Sequence, residues 1–150
     1  MRPAFRSALL AVALLLPSAF AFAANDSPVG TWTQVDDETG KPKSIIEISQ
    51  GSDGTLQGIV KEVLFSDQGP HPVCKECEGE RKDKPVEGMT ILWGVKQDGD
   101  VWDGGEILDP HNGKTYRVKL KLADGGAKLD VRGYVGFSLL GRTQTWVRKD

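Results

Sequence analysis

The chain has little of the material that several protein classes need. Its 150 residues include two cysteines, two histidines and 7% aromatic residues. Two cysteines are too few for a disulfide-built scaffold, and a chain of this length buries about two thirds of its surface without one. The motifs Gly-x-Ser-x-Gly and His-Glu-x-x-His and the phosphate-binding loop are all missing from the sequence. We therefore expect no enzyme, no catalytic residue and no cofactor.

The N-terminus has the pattern of a secretory signal peptide. Arg2 and Arg6 stand beside an apolar run at 8–16, and Ala21-Phe22-Ala23 has the small-x-small pattern that signal peptidase recognises. The run is too short to span a bilayer, which takes about 20 residues, and no later run is apolar enough. We therefore predict that residues 1–23 are removed and that the product is periplasmic or secreted.

Cleavage between Ala23 and Ala24 would leave residues 24–150 as one domain of ordinary size. Loss of two arginines lowers the 19 basic residues to 17, against 21 acidic residues, so the formal charge becomes about −4. Nucleic-acid binding usually requires a basic face. We therefore expect a soluble product with no nucleic-acid partner and no membrane span.

The mature region consists of short strand patterns separated by turn residues. Alternation is clearest at 114–122, where Tyr116, Val118 and Leu120 share one face and basic residues occupy most of the other. A period of two with one polar face indicates an antiparallel sheet that is half exposed to water. The predicted strands are Gly30 to Val35, Ser44 to Ser49, Thr55 to Leu64, Thr90 to Lys96, Val101 to Leu108, Lys114 to Leu122, Lys128 to Tyr134 and Arg142 to Arg148.

About eight strands in this order favour an all-β fold, a small up-and-down antiparallel β-barrel, with a β-sandwich as the alternative. Asp98-Gly99 and Asn112-Gly113 suit tight hairpins. Closure into a barrel removes exposed sheet edges, and the glycines inside strands permit the bending that closure needs. A polar loop at 66–88 interrupts the series and contains both cysteines.

Gly30-Thr31-Trp32 at the first strand resembles the Gly-x-Trp signature of lipocalins and the wider calycin group. In those barrels the tryptophan closes one end, and an arginine near the end of the last strand packs across it. The resemblance implies a structural role for Gly30, Trp32, Arg142 and Trp146, with Arg142 across Trp32. The chain lacks the long C-terminal helix of classical lipocalins.

A second resemblance covers essentially the whole mature chain. Four segments are similar to the DUF2147 family, a group of exported bacterial proteins of unknown function. They are Gly-Gly-Glu-Ile-Leu-Asp-Pro at 104–110, Asn-Gly-Lys-Thr-Tyr at 112–116, Leu-Asp-Val-Arg-Gly-Tyr at 129–134 and Gly-Arg-Thr-Gln-Thr-Trp at 141–146. The implied fold is a small lipocalin-like barrel, and the family implies no activity.

Cys74 and Cys77 lie within the polar loop. In an oxidising envelope, two cysteines this close are usually joined, and we expect a disulfide that orders the loop and adds about 2 kcal/mol of stability. A redox-responsive pair is the second reading. A zinc site is the third, with His71 and one further ligand among Glu76, Glu78 and His111, and we assign no metal ligand.

Arg142 and Gln144 lie on the same face of the last strand as Trp146. If that face points into the barrel, the guanidinium needs a partner. The ring of Trp32 is the preferred one, and the carboxylate of an anionic lipid is the alternative. Trp93, Trp102, Tyr116 and Phe137 are candidates to line a cavity.

Three functions remain open from the sequence. The preferred one is a lipocalin-like protein that binds a small hydrophobic or anionic lipid ligand through Arg142, Gln144, Trp93, Trp102 and Tyr116. The second is an envelope protein-interaction module that has a filled barrel and presents its 66–88 loop. The third is a redox-responsive protein that uses Cys74 and Cys77.

Overall fold

A computed structural model describes residues 25–149, so the predicted signal peptide lies outside the described residues. These residues form eight strands and three short 3₁₀ turns. The turns are Gly79–Arg81, Asp124–Gly126 and Ser138–Leu140. The strands are β1 (Gly30–Val35), β2 (Pro42–Gln50), β3 (Leu56–Val63), β4 (Thr90–Asp98), β5 (Val101–Asp109), β6 (Lys114–Ala123), β7 (Lys128–Tyr134) and β8 (Arg142–Arg148).

The strands form a closed antiparallel barrel in the order of the sequence. The last strand meets the first through the pairs Trp32 with Arg148 and Thr33 with Val147. This confirms the predicted all-β barrel of eight strands and excludes the alternative, a β-sandwich. Closure pairs both edges of the sheet, and this removes the unpaired backbone groups that an open sheet exposes. No helix within the described residues is long and apolar enough to cross a membrane.

The period-two pattern decides which side chains fill the barrel. Val118 and Leu120 of β6 are fully buried, whereas Lys121 is exposed and Lys119 is partly so. The core is a single cluster of buried side chains that includes residues from all eight strands. Alternating burial on consecutive hairpins therefore gives one continuous interior.

One end of the barrel, here called the base, is closed by Trp32. Its ring is fully buried, and Nε1 donates to the carbonyl of Pro28 at 2.7 Å. The guanidinium of Arg148 lies 4.2 Å from the ring centroid and donates to the carbonyls of Ser27, Val29 and Gly126. These hydrogen bonds satisfy the donors of the Arg148 guanidinium while it packs against the ring of Trp32.

The prediction that Arg142 packs across Trp32 is therefore wrong, because Arg148 holds that position. β8 carries an arginine at each end, and both lie on the face that also contains Trp146. The pairing register decides which arginine meets Trp32: Arg148 pairs with Trp32, whereas Arg142 pairs with Gly133. Six residues of strand place the two arginines roughly 20 Å apart. Gly30 leaves room for Arg148, because a Cβ there would lie 2.7 Å from Nη1.

The 66–88 loop is ordered by the barrel and by its own bonds. Val73 and Pro85 form an isolated antiparallel bridge. The amide of Cys74 donates to Lys84 and its carbonyl accepts from Asp83. The amide of Gly88 donates to the carbonyl of Val60 in β3 at 2.7 Å. The loop is therefore fixed to the side of the barrel, with most of its charged side chains exposed.

The two cysteines are joined as predicted, with their Cα atoms 5.3 Å apart. Both are buried and belong to the main core cluster. The Sγ of Cys74 lies 3.3 Å from the carbonyl oxygen of Pro110 in the β5–β6 turn. The disulfide therefore joins the loop to the core, which goes beyond the loop-ordering role expected from the sequence. A disulfide leaves no thiolate on either cysteine to bind a metal.

We expect neither cysteine to react with iodoacetamide in the native, unreduced protein, because both sulfurs are bonded and buried. The paired substitution Cys74→Ala/Cys77→Ala is expected to lower the free energy of unfolding by about 2 kcal/mol through loss of the cross-link, with a further loss of core packing. Mass spectrometry of alkylated protein and urea denaturation measure these two effects. Labelling of the unreduced native protein would contradict the bond.

Candidate functional site

A cavity of about 710 Å³ opens at the end of the barrel opposite Trp32. The two ends differ because the large side chains are concentrated at the base, where Trp32, Trp102 and Trp146 are all buried. Toward the other end no tryptophan of the described residues lines the interior. An eight-stranded barrel is near the size at which side chains either fill the interior or leave space for one small ligand. Here one half is filled and the other half is hollow.

The floor of the cavity is polar and uncharged. Ser44 Oγ donates to Gln34 Oε1, and Gln34 Nε2 donates to Gln144 Oε1 at 3.2 Å. The same Gln144 oxygen accepts from Trp146 Nε1 at 3.3 Å. Ser44 is 6% exposed, so this is a polar group deep in the barrel. The chain of bonds satisfies these groups above the packed base.

The cavity walls carry apolar and polar side chains in similar proportion. Tyr116 stands on one wall, and its hydroxyl accepts from Asn112 Nδ2 at 3.0 Å. Gly133, next to it in the sheet, leaves a recess: a Cβ there would lie 3.6 Å from the Cβ of Tyr116, an ordinary contact distance. The apolar wall residues include Val60, Val63, Val86, Ile91, Ile107, Leu108, Val131 and Leu140.

Arg142 stands at the mouth and is held by acids from the β1–β2 turn. Its Nε donates to Asp37 Oδ2 at 2.6 Å, its Nη2 donates to the other oxygen of the same carboxylate, and Glu38 lies 3.4 Å away. A fork-shaped guanidinium suits this two-point contact. The hydrogen bond from Arg142 lowers the pKa of Asp37 below its usual value.

A second ion pair lies at the same mouth. Lys43 Nζ is 3.4 Å from Asp36, and both side chains line the cavity. Hydrogen bonds from the side chain and backbone of Thr39 lower the pKa of Asp36 to about 2. Asp36 and Asp37 therefore both stay ionised at neutral pH.

The β7–β8 loop at 135–141 adds an apolar rim to the mouth. Val135, Phe137, Leu139 and Leu140 are each at least 70% exposed, and Val135 and Leu140 also line the cavity. The guanidinium of Arg132 fixes the loop by donating to the carbonyls of Ser138 and Leu139. The cavity wall is thus continuous with exposed apolar surface.

Three of the five residues predicted from the sequence to contact a ligand come together here. Arg142, Gln144 and Tyr116 all line the cavity. Gln144 lies between Trp146 below and Arg142 above, because alternate residues of β8 share a face. Gln144 and Tyr116 are partly buried, whereas the Arg142 side chain is 57% exposed at the mouth and is not the buried guanidinium considered from the sequence. Contact of the three side chains with a ligand remains a prediction.

The two remaining tryptophans do not line the cavity. Trp102 pairs with Leu120 at the base end of β5 and is part of the packed core. Trp93 pairs with Glu106, which accepts from its Nε1 at 3.0 Å, and Arg81 lies 4.7 Å from its ring centroid. Trp93 lines a separate shallow groove of about 290 Å³ on the wall of the barrel.

Trp102 faces the interior at the base, below the cavity, whereas Trp93 lies on the outer wall opposite a part of β5 that the sequence pattern does not reveal to be irregular. The β5–β6 pairing shifts register between Trp102 and Gly105, so simple alternation does not continue along β5. Phe137, also considered as a lining residue, is 75% exposed on the β7–β8 loop. Aromatic size alone therefore did not identify the residues around the cavity.

The site residues that sequence reasoning missed include Gln34, Ser44 and Asp37. Gln34 is two residues after Trp32, and Ser44 is two residues before Ile46, so each continues a buried face with a polar side chain. A polar residue on an otherwise apolar face was the available signal. Asp37 had no such signal, because it lies in a turn and meets Arg142 only after the barrel closes.

The comparisons with known proteins agree with this architecture. The sequence matches the model of the family described as "Uncharacterized protein conserved in bacteria (DUF2147)" over residues 30–148. Among solved structures, the chain is similar to protein HP1028 from the human pathogen Helicobacter pylori, described as belonging to the lipocalin family, with a TM-score of 0.70 and 19% identity over 83% of this chain and 84% of that one. No protein with a curated description matches the sequence. At this identity the likeness establishes a lipocalin-like fold.

Proposed function

Because the chain belongs to the DUF2147 family and folds as a lipocalin-like barrel, we propose that it is a binding protein for a small, mostly apolar ligand. The observation that carries the proposal is the cavity of about 710 Å³ above the packed base. Pockets that bind small molecules have volumes of about 300–1,000 Å³, apolar walls and a few placed polar groups. The cavity has a volume in this range, and its lining combines apolar side chains with polar and charged ones.

The ligand's apolar part would contact the wall formed by Ile91, Ile107 and Val131, and its polar end would meet the groups of the floor or mouth. Gln144 supplies amide hydrogen-bonding groups at the floor, and Tyr116 supplies an aromatic face on the wall. Arg142 is at the mouth, where an entering molecule passes it. The apolar rim at 135–141 extends the wall outward, which suits the entry of a poorly soluble molecule.

We place this binding function outside the cytoplasm. The Cys74–Cys77 disulfide suits an oxidising compartment, and the signal-peptide pattern at residues 1–23 agrees with export. The proposal is for binding without catalysis. His111 lines the mouth of the cavity and lies in the β5–β6 turn. Its backbone amide donates to Asp109 Oδ1 at 2.9 Å. This contact is typical of a turn, so the closeness of the aspartate and the histidine needs no catalytic explanation.

The two other functions considered from the sequence have less support. An interaction module with a filled barrel disagrees with the cavity. A redox-responsive pair requires access of a thiol to the disulfide, and both cysteines are at most 2% exposed. The exposed charges of the 66–88 loop are sufficiently explained as a solvated surface.

The test is binding of the neutral fluorescent probe N-phenyl-1-naphthylamine to purified mature protein. We expect saturable fluorescence enhancement at a single site. Gly133→Leu should abolish it, because the new side chain would extend from the recess beside Tyr116 into the cavity. Gly133→Ala is the matched control, since a single methyl group fits at ordinary contact distances and leaves most of the cavity free.

Urea denaturation of both variants shows that they are folded. Equal binding by the wild type and Gly133→Leu would place the probe outside the cavity and contradict the proposal. Absence of saturable probe binding by the wild type would also contradict it.

A further inference from the structure

The charges around the cavity mouth are predominantly acidic. Among the described residues, the cavity lining contains two side chains that are permanently basic, Lys43 and Arg142. It contains four acids, and Asp37, which binds Arg142, is a fifth at the same mouth. The four acids of the lining are Asp36, Glu38, Asp67 and Asp109.

Each of the two basic side chains already has an acidic partner. Lys43 is paired with Asp36. Arg142 is held at two points by Asp37 and approached by Glu38. A carboxylate ligand could use Arg142 only by displacing Asp37, and it would then lie beside the carboxylates it displaced. Like charges held close together are unfavourable, and the partly enclosed mouth screens them less than open water does.

The acids keep their charge under ordinary conditions. Hydrogen bonds from Thr39 hold the pKa of Asp36 at about 2, and the hydrogen bond from Arg142 lowers the pKa of Asp37. Deeper in the cavity the polar groups of Gln34, Ser44 and Gln144 are uncharged and bonded to one another. Nothing in the described part of the cavity therefore offers an unpaired positive charge to an anion.

We propose that this cavity selects amphiphiles whose polar end is cationic or neutral and discriminates against anionic ones. The inference rests on the proposed binding function and specifies its ligand class. It replaces the anionic lipid considered from the sequence, because Asp37 occupies the guanidinium of Arg142 that would grip such a ligand. A cationic end would lie at the mouth among the acids. A neutral hydrogen-bonding end would fit either at the mouth or at the polar floor.

The experiment compares three competitors with matched chains: decylamine, decanol and decanoate. The affinity of each competitor is measured by its displacement of N-phenyl-1-naphthylamine from the mature protein at neutral pH and low salt. We expect decylamine and decanol to bind about tenfold more tightly than decanoate, the size of effect that one net charge gives at a partly solvated site. The preference for the amine over the carboxylate should shrink as salt is added.

A pair of double variants separates the mouth from the overall charge of the protein. Asp37→Asn/Glu38→Gln removes the acids that hold Arg142 and should raise the affinity for decanoate about tenfold. Glu47→Gln/Glu80→Gln changes the net charge equally but lies outside the cavity lining, and it should leave the three affinities unchanged. The neutral probe should bind Glu47→Gln/Glu80→Gln as it binds the wild type, and urea denaturation of both double variants shows that they are folded.

The outcomes distinguish the two proposals. Tighter binding of decanoate than of decanol to the wild type would overturn the charge selectivity and leave the binding function standing. An unchanged affinity for decanoate in Asp37→Asn/Glu38→Gln would overturn the role of these acids. If neither the probe nor any competitor binds, the proposed function fails and the inference fails with it.

Discussion

Replacement of Trp32 with alanine is expected to lower the free energy of unfolding by about 3–5 kcal/mol, the usual cost of removing a fully buried tryptophan. The ring is completely buried in the base and packs against the guanidinium of Arg148. Its loss would leave a void in the core and remove the aromatic partner of a cation. Urea denaturation followed by circular dichroism measures the change.

Trp93→Ala is the matched control, since it deletes the same side chain from the outer wall. Trp93 is partly exposed and contacts Arg81 and Glu106. We expect a loss of about 1 kcal/mol, within the range of substitutions at partly exposed positions. Equal losses for the two variants would show that Trp32 does not have the structural role assigned to it at the base.

The second large effect is expected for Gly113→Ala, at about 3 kcal/mol. Gly113 has a φ of +68°, and a Cβ at this position would lie 2.0 Å from the carbonyl oxygen of Glu76. Alanine would therefore combine an unfavourable backbone conformation with a collision against the backbone of the 66–88 loop. The collision is with main-chain atoms, so a change of side-chain rotamer cannot relieve it.

Gly99→Ala provides the comparison for Gly113. Gly99 has a φ of +65° in the β4–β5 turn, and nothing lies within 4 Å of its hypothetical Cβ. Its substitution should cost about 1 kcal/mol, because only the left-handed backbone conformation is penalised. The difference between the two variants measures the contact between the β5–β6 turn and the loop that carries the disulfide. A difference near zero would mean that this contact is not tight in solution.

Much of the barrel could be predicted from local patterns. Three of the eight strands have the predicted limits, and the other five differ by one or two residues at one or both ends. Alternation of apolar and polar residues marks a strand within a few positions, and Asn112-Gly113 marks a hairpin because both residues tolerate positive φ. These signals depend on residues close together in the sequence.

The candidate site was only partly predictable. Gln144 and Arg142 were placed on the interior face because β8 alternates regularly up to Trp146. Trp102 faces inward but lies in the packed base, below the cavity. Trp93 lies on the outer wall, because irregular pairing of β3 with β4 and of β5 with β6 changes which positions face inward. The partner of Arg142 was also missed. It is Asp37, which is 105 residues distant in the sequence.

By itself, the sequence determined that this protein is an all-β chain with regular strands, an uncharged polar position on each of several buried faces, and two cysteines close enough to join. The tertiary structure alone decided which arginine meets Trp32, which half of the barrel remains hollow, and which acids neutralise Arg142. The physical reason is that these outcomes depend on register and closure. Consecutive strands pair along this barrel, and only its closure joins strands far apart in the chain, β1 and β8. That closure brings Arg148 to Trp32 and the β1–β2 turn to Arg142.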